Sequence, residues 1–214
     1  MTNTATDLVA LHKARKGSVD FVDIPELGYL TVEGMGRPGG AEFTAAVQAL
    51  YTVSYSARFL LKKEGGDAPP NMPLEAQWWV DDPAQRDILA AVALGLTTMA
   101  ATDRNRWRWR VMILQPEPID VAVITRAVER ARRKALPALR GLRYERWEEG
   151  RCAQLLHIGP YSAENPSIVR LHRAIAAAGY RPRGRHHEVY LSDPRRCTPG
   201  KLRTILRHPI APRA

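Results

Sequence analysis

The run His186-His187-Glu188-Val189-Tyr190 sets an imidazole, a carboxylate and a phenol at alternate positions, 186, 188 and 190. In an extended strand, alternate side chains share one face. The three can therefore act together, with Glu188 as a base, Tyr190 as a proton donor and His186 as a ligand contact. Val189 and Leu191 point the other way and are expected to face the helices. His157 and Tyr161 flank Gly159, where a turn can aim both at a cleft. Other reactive patterns are missing. His186 and His187 are adjacent rather than spaced for one metal face, and no carboxylate cluster supports them, so no metal is expected. Gly34-Met35-Gly36 and Gly39-Gly40 lack the context of a phosphate loop, and no Gly-x-Ser-x-Gly elbow occurs. The two cysteines, Cys152 and Cys197, form neither a disulfide scaffold nor a metal-ligand pair. Cys152 reads as a buried strand residue, and no cofactor is expected.

The elements that must position these residues repeat. Leu30 to Gly34 reads as a strand ending at glycine. Phe43, Val47, Leu50, Ala57 and Leu61 then recur at helical spacing. Glu75 to Val80 is a strand that stops at Asp82-Pro83, and Arg110 to Pro116 closes the half. The second half runs in the same order: Leu155 to Gly159, a helix from Asn165-Pro166 to Gly179, His186 to Asp193-Pro194, and Arg203 to Pro209. Four matches in one order predict a duplicated strand–helix–strand–strand unit. The fold class is α+β, a single domain over residues 1–214. Its first repeat spans about residues 22–116, a linking helical region about 117–146, and the second repeat about 148–210. Asp82 caps an additional helical segment, Pro83 to Leu96, which either covers an opening or is a surface insertion.

Two such units give an antiparallel sheet with helices on one face and a ligand cleft expected on the other. Aligning the two Asp-Pro stops sets Tyr190 against Trp79, Glu188 against Gln77 and His186 against Glu75. A carboxylate beneath aromatic rings is unusual on a bare sheet and marks a groove for a flat ligand. Trp107 and Trp109 share a face of the following strand and could extend the aromatic wall.

Composition narrows the classes. Among 214 residues, 45% are hydrophobic and 25% charged, values of a folded globular chain. No apolar run approaches the roughly 20 residues of a membrane span, so a cytoplasmic protein without membrane contact is expected. The formal charge of +10 invites a nucleic-acid reading, and basic residues are densest between Arg126 and Arg143. No DNA- or RNA-binding motif accompanies them, so nucleic acid is not expected to be the main ligand.

Several of these stretches resemble a known family. His157-Ile158-Gly159-Pro160-Tyr161, the run from His186 to Arg196, and Met72-Pro73-Leu74-Glu75 with Trp78-Trp79 are similar to GyrI-like small-molecule-binding proteins. The longer, stand-alone branch is nearer, through Leu50-Tyr51-Thr52-Val53-Ser54-Tyr55 and through Trp107-Arg108-Trp109 followed by Met112 to Pro116. The resemblance covers Val22 to Ile210. It implies a duplicated fold with a central ligand cleft. Some members are effector domains of drug-responsive regulators, although no DNA-binding module is recognisable in this sequence. Some stand-alone members are cyclopropanoid cyclopropyl hydrolases, which open the strained ring of DNA-alkylating toxins of the yatakemycin type. By motif, Glu188 matches the acidic site residue. Tyr55, Trp79, Trp109, His157, Tyr161 and Tyr190 are implied cleft residues, with Met112 and His186 as further candidate ligand contacts. The stretch from Pro83 to Asn105 is longer than the usual connection, which leaves the width of the cleft mouth open. Three functions follow as expectations: a cofactor-free cyclopropyl hydrolase, a non-catalytic binder of planar or cationic molecules, or a gyrase-modulating protein. The expected partner is a planar aromatic small molecule, and the sequence does not set the oligomeric state.

Overall fold

The computed structural model describes residues 5–213, with side chains from Leu8 onward. After a short helix α1 (Ala5–Leu11), the first half runs β1 (Val19–Met35), α2 (Ala41–Lys63), β2 (Leu74–Trp79), α3 (Pro83–Leu94) and β3 (Arg108–Leu114). Helix α4 (Val121–Arg132) links it to β4 (Arg143–Ile158), α5 (Asn165–Ala177), β5 (Tyr180–Pro182), β6 (His186–Tyr190) and β7 (Arg203–Pro212). The duplicated strand–helix–strand–strand order is therefore present in both halves. Local chemistry explains the boundaries. The Asp82 carboxylate accepts from the Ala84 N–H at 2.9 Å, Pro83 opens α3, and Gly95 ends it at φ 79°. Asp120 caps α4 through the Val123 N–H in the same way.

The sheet is antiparallel throughout, in the order β4-β1-β3-β2-β6-β7-β5. Strand β7 also pairs with β4, so the sheet closes into a barrel and has an inside and an outside. Helix α2 covers one part of the outside. Its Phe43 stacks on Trp78 at 5.6 Å and meets Trp109 edge-on at 5.4 Å. A side chain at Gly34 would collide with the Trp109 ring, which is why a glycine stands there in β1. Helix α5 covers another part of the outside, burying Ile168, Leu171 and Ile175 against Leu155 and Leu206. Apolar burial on the two helix faces is the main favourable term in holding the layers together.

Closure changes where a cleft can be. The helix-free face is the barrel interior, filled by buried side chains such as Tyr29, Glu75, Met112, His187 and Ile205. The open space lies instead on the helix-bearing face, between α2 and α5, where β2 and β6 form the floor. The placement read from the sequence assumed an open sheet, and strand alternation alone carries no signal of closure.

Candidate functional site

The register of β6 against β2 assembles the site. Leu74 pairs with Tyr190, Ala76 with Glu188, and Trp78 with His186. Paired residues share a face, so Trp78, His186, Glu188 and Tyr190 all look outward into the space between α2 and α5. This space is a groove of about 2550 Å³. That exceeds the roughly 300–1,000 Å³ of ordinary ligand pockets, so the groove suits an extended molecule. Phe43, Tyr51 and Tyr55 line it from α2, Ile168 and His172 from α5, and Leu89 and Ala93 from α3.

A hydrogen-bond chain fixes the carboxylate at its floor. The Trp78 indole Nε1 donates to the Tyr190 hydroxyl at 3.2 Å, and that hydroxyl donates to Glu188 Oε2 at 2.7 Å. Glu188 Oε1 lies 3.4 Å from His186 Nε2, and the Glu188 side chain is 14% exposed. One oxygen is thus held by Tyr190 and the other lies beside His186, on a side chain that lines the groove. Burial, and then the adjacent Glu188 charge, push the Tyr190 phenol well above its ordinary value. Its proton is committed to Glu188, so the geometry gives Tyr190 an orienting place rather than the donor place read from the sequence.

A second carboxyl stands nearby. Glu164 occupies the position before α5, yet its side chain makes no cap hydrogen bond. It is 7% exposed, and Oε1 has no hydrogen-bond partner. Burial, and then the Glu188 charge, raise it to about 9 against the opposing pull of Arg104. Tyr161 meets Tyr190 edge-on at 5.7 Å, and burial with Glu188 raises its phenol to about 12. At neutral pH both are protonated donors. A protonated carboxyl beside a second carboxyl can serve with it as an acid and base pair. Trp107 meets Trp78 at 5.7 Å, and its indole N–H is buried without a partner.

The residues singled out from the sequence separate into two sets. Glu188, Tyr190, His186 and Tyr161 come together in the groove, and Tyr55 lines it farther along, stacked on Tyr51 at 5.9 Å. Trp109 and Met112 are fully buried elsewhere, Trp109 under Phe43 and Met112 inside the barrel beside Glu75. His157, near the end of β4, is occupied by the segment that follows the strand. Its Nδ1 lies 3.0 Å from Ser167 Oγ, and its Nε2 lies 3.3 Å from the Pro160 carbonyl. Trp79 reaches only the rim, where the Arg185 guanidinium covers its ring at 3.4 Å. Glu188 pairs with Ala76 and His187 with Gln77, because the two strands run antiparallel. Aligning the Asp-Pro stops compares equivalent positions of the two halves and does not set this register. A slip of one residue exchanges the faces of a strand and substitutes Trp78 for Trp79. Glu164, Trp78 and Phe43 were not among the site residues chosen from sequence, whereas Trp107 is the residue the sequence offers, with Trp109, as an extension of the aromatic wall. Glu164 could have been found as an acidic residue directly before the proline-opened helix. Among the described residues, no group of three or more His, Cys, Asp or Glu is arranged to hold a metal ion.

A family model described as the GyrI-like small molecule binding domain matches residues 17–211, nearly the whole chain. The chain belongs to the GyrI-like family. Solved structures agree with that membership. An uncharacterized conserved protein from Listeria innocua is 29% identical with a TM-score of 0.82, covering 99% of this GyrI-like chain and 100% of its own. A structure described as a hydrolase from Listeria innocua is 30% identical with a TM-score of 0.78, covering 96% of this chain and 98% of its own. The EcmrR C-terminal domain shares the fold at a TM-score of 0.53 and 8% identity, covering 92% of this chain and 98% of its own. No curated protein matches the sequence. As a GyrI-like domain the chain is a small-molecule binder, and none of its described helices is long and apolar enough to cross a membrane.

Proposed function

We propose that this GyrI-like protein is a cofactor-free hydrolase that adds water to the cyclopropane ring of planar, conjugated toxins of the yatakemycin type. The observation that carries the reading is the carboxyl pair in the groove: Glu188, held by Tyr190, beside the unpartnered and protonated Glu164. The resemblance of the sequence to cyclopropyl hydrolases, and the description of a 30% identical Listeria innocua structure as a hydrolase, support the same class.

Glu188 takes a proton from a bound water as the water oxygen bonds to the ring methylene carbon. The carbon–carbon bond of the cyclopropane breaks, and its electron pair passes through the conjugated system to the carbonyl oxygen. Glu164 gives its proton to that oxygen. The product is the toxin plus one water, with a primary alcohol and a phenol. Exchange with solvent then returns one proton to Glu164 and removes one from Glu188. General-base help of this kind contributes typically about 10²–10⁴-fold. A donor aimed at the developing oxyanion lowers the barrier further in a dry groove. Phe43, Trp78 and Tyr161 supply flat faces that hold a planar ring system in a reactive pose. Tyr190 acts through Glu188 by fixing its orientation.

The test is turnover. Protein at one-hundredth of the toxin concentration should convert the whole sample to the hydrated product, followed by mass spectrometry. Protection that stops at one toxin per protein, with the toxin recovered intact, would identify a sequestering protein instead.

A further inference from the structure

Strands β2 and β6 carry a second constellation on their inner face, directly behind the groove. His187 Nδ1 lies 2.9 and 3.0 Å from the two carboxylate oxygens of Glu149 on β4. Its Nε2 lies 2.9 Å from Glu75 Oε2 on β2, out of line for a well-formed hydrogen bond but within ion-pair reach. All three side chains are essentially withdrawn from water. A neutral imidazole would turn a lone pair toward one of these carboxylates, so the geometry requires an imidazolium with both nitrogens protonated. The other groups around it fit that state. Arg207 from β7 reaches Glu149 at 3.6 Å, and His12 Nε2, from just after α1, meets Glu75 Oε1 at 3.1 Å. Tyr29 of β1 and Cys152 of β4 lie nearby, both pushed upward by burial first and then by the carboxylates, and so uncharged. Burial alone would lower His187, but Glu149 and Glu75 outweigh it and raise it to about 9.

The strut and the groove chain share the same two strands. His187 on β6 reaches Glu75 on β2 on the inside, while Tyr190 and Glu188 on β6 reach Trp78 on β2 on the outside. The registered pairs Glu75 with Val189 and Gln77 with His187 alternate with Ala76–Glu188 and Trp78–His186. Anything that loosens the inner tie lets the outer one shift.

We propose that His187 is a positioning residue: its charged ring ties β6 to β2 from inside the barrel and thereby holds the Trp78–Tyr190–Glu188 chain in register for water activation. When the ring loses its proton, two carboxylates face each other across a neutral imidazole and the tie fails. The proposal deepens the hydrolase reading and rests on it for its catalytic consequence, but the coupling itself is observable without turnover.

The experiment is an NMR titration of the full chain between about pH 6 and 10.5. It follows the histidine ring nitrogens together with the Trp78 indole N–H, which is assigned with Trp78→Phe. The expected result is that His187 keeps both ring protons through pH 8, and that the Trp78 resonance moves with the same midpoint as His187. In Glu149→Gln, which keeps the hydrogen bond and removes a charge, both midpoints should fall together by at least about one unit. Glu164→Gln should leave both where they are. A Trp78 resonance that stays fixed while His187 titrates, or that follows Glu164 instead, overturns the proposal. If Glu149→Gln does not fold, the wild-type titration with Glu164→Gln decides alone. With toxin present, hydration by the wild-type protein should fall above the His187 midpoint, and in Glu149→Gln that fall should begin at a lower pH by the same shift as the His187 midpoint. A coupled Trp78 response with no hydration at any pH would remove the hydrolase reading and leave the coupling intact.

Discussion

The two faces of β2 and β6 are built from the same kinds of residue and do opposite things. Inside the barrel, Glu75 and Glu149 are buried but matched by His187, Arg207 and His12. Burial would raise both carboxyls, yet these cations outweigh it and hold both below their ordinary range. On the outside, Glu164 is buried without any cation in contact and is raised to about 9, while Glu188 is held by a phenol. A carboxylate with a full set of partners is structural. One left with a free oxygen beside a groove is available for chemistry. The contrast shows that burial alone does not mark a functional acid, and that its partners decide.

The sharpest way to break this comparison is to remove one carboxyl from each face. Glu188→Gln should leave the fold intact and reduce hydration by at least about 100-fold, measured as product formed under single-turnover conditions. Glu75→Ala should instead cost about 3–5 kcal/mol of stability, because it leaves the Nε2 groups of His187 and His12 buried without their carboxylate partner. Denaturant unfolding checks that cost. Variants whose effects were exchanged would show that the two faces had been assigned the wrong way round.

Stability against pH sharpens the inner half of the comparison. The His187 value is raised on folding, so its contribution is complete below its unfolded value near 6.5 and is lost as pH rises through about 9. The Glu75 and Glu149 values are lowered on folding, so their contribution is present above about 4.5 and is lost as pH falls below that. For these three groups thermal unfolding should therefore give a plateau between about pH 4.5 and 6.5, with a decline below it and a second decline from about 6.5 to 9. In His187→Gln the alkaline decline should shrink.

Smaller effects test the edges. Tyr190→Phe removes the link between Trp78 and Glu188, and loss of that hydrogen bond is worth about 1–3 kcal/mol in the hydration barrier, read from single-turnover rates. Trp109→Phe and His157→Asn should leave ligand affinity within about twofold in a titration, since neither side chain lines the groove.

Much of the fold was legible in the sequence because its signals are local. The Asp82 cap, the proline openings at Pro83 and Pro166, and the alternation of β6 each act within a few residues. The repeat order followed from setting such signals side by side. Closure of β7 onto β4 was not legible, because it depends on pairing Cys152–Ile158 with Arg203–Pro209, which nothing local announces. The site was half legible for the same reason. Glu188, Tyr190 and His186 share one short strand, so alternation places them together. Choosing Trp78 over Trp79 needs the antiparallel register between two distant strands, which the Asp-Pro stops do not set. Glu164 comes from the turn before α5, and only the assembled groove shows that its oxygen is left without a partner.

The most direct measurement of the central claim is hydration of a yatakemycin-type toxin in water enriched in oxygen-18, run side by side with the wild-type protein and Glu188→Gln. Wild type should yield a product carrying one heavy oxygen on the former ring methylene at many turnovers per protein, and Glu188→Gln should yield almost none while still binding the toxin. Equal labelling by both proteins, or intact toxin recovered from the wild type, would contradict it.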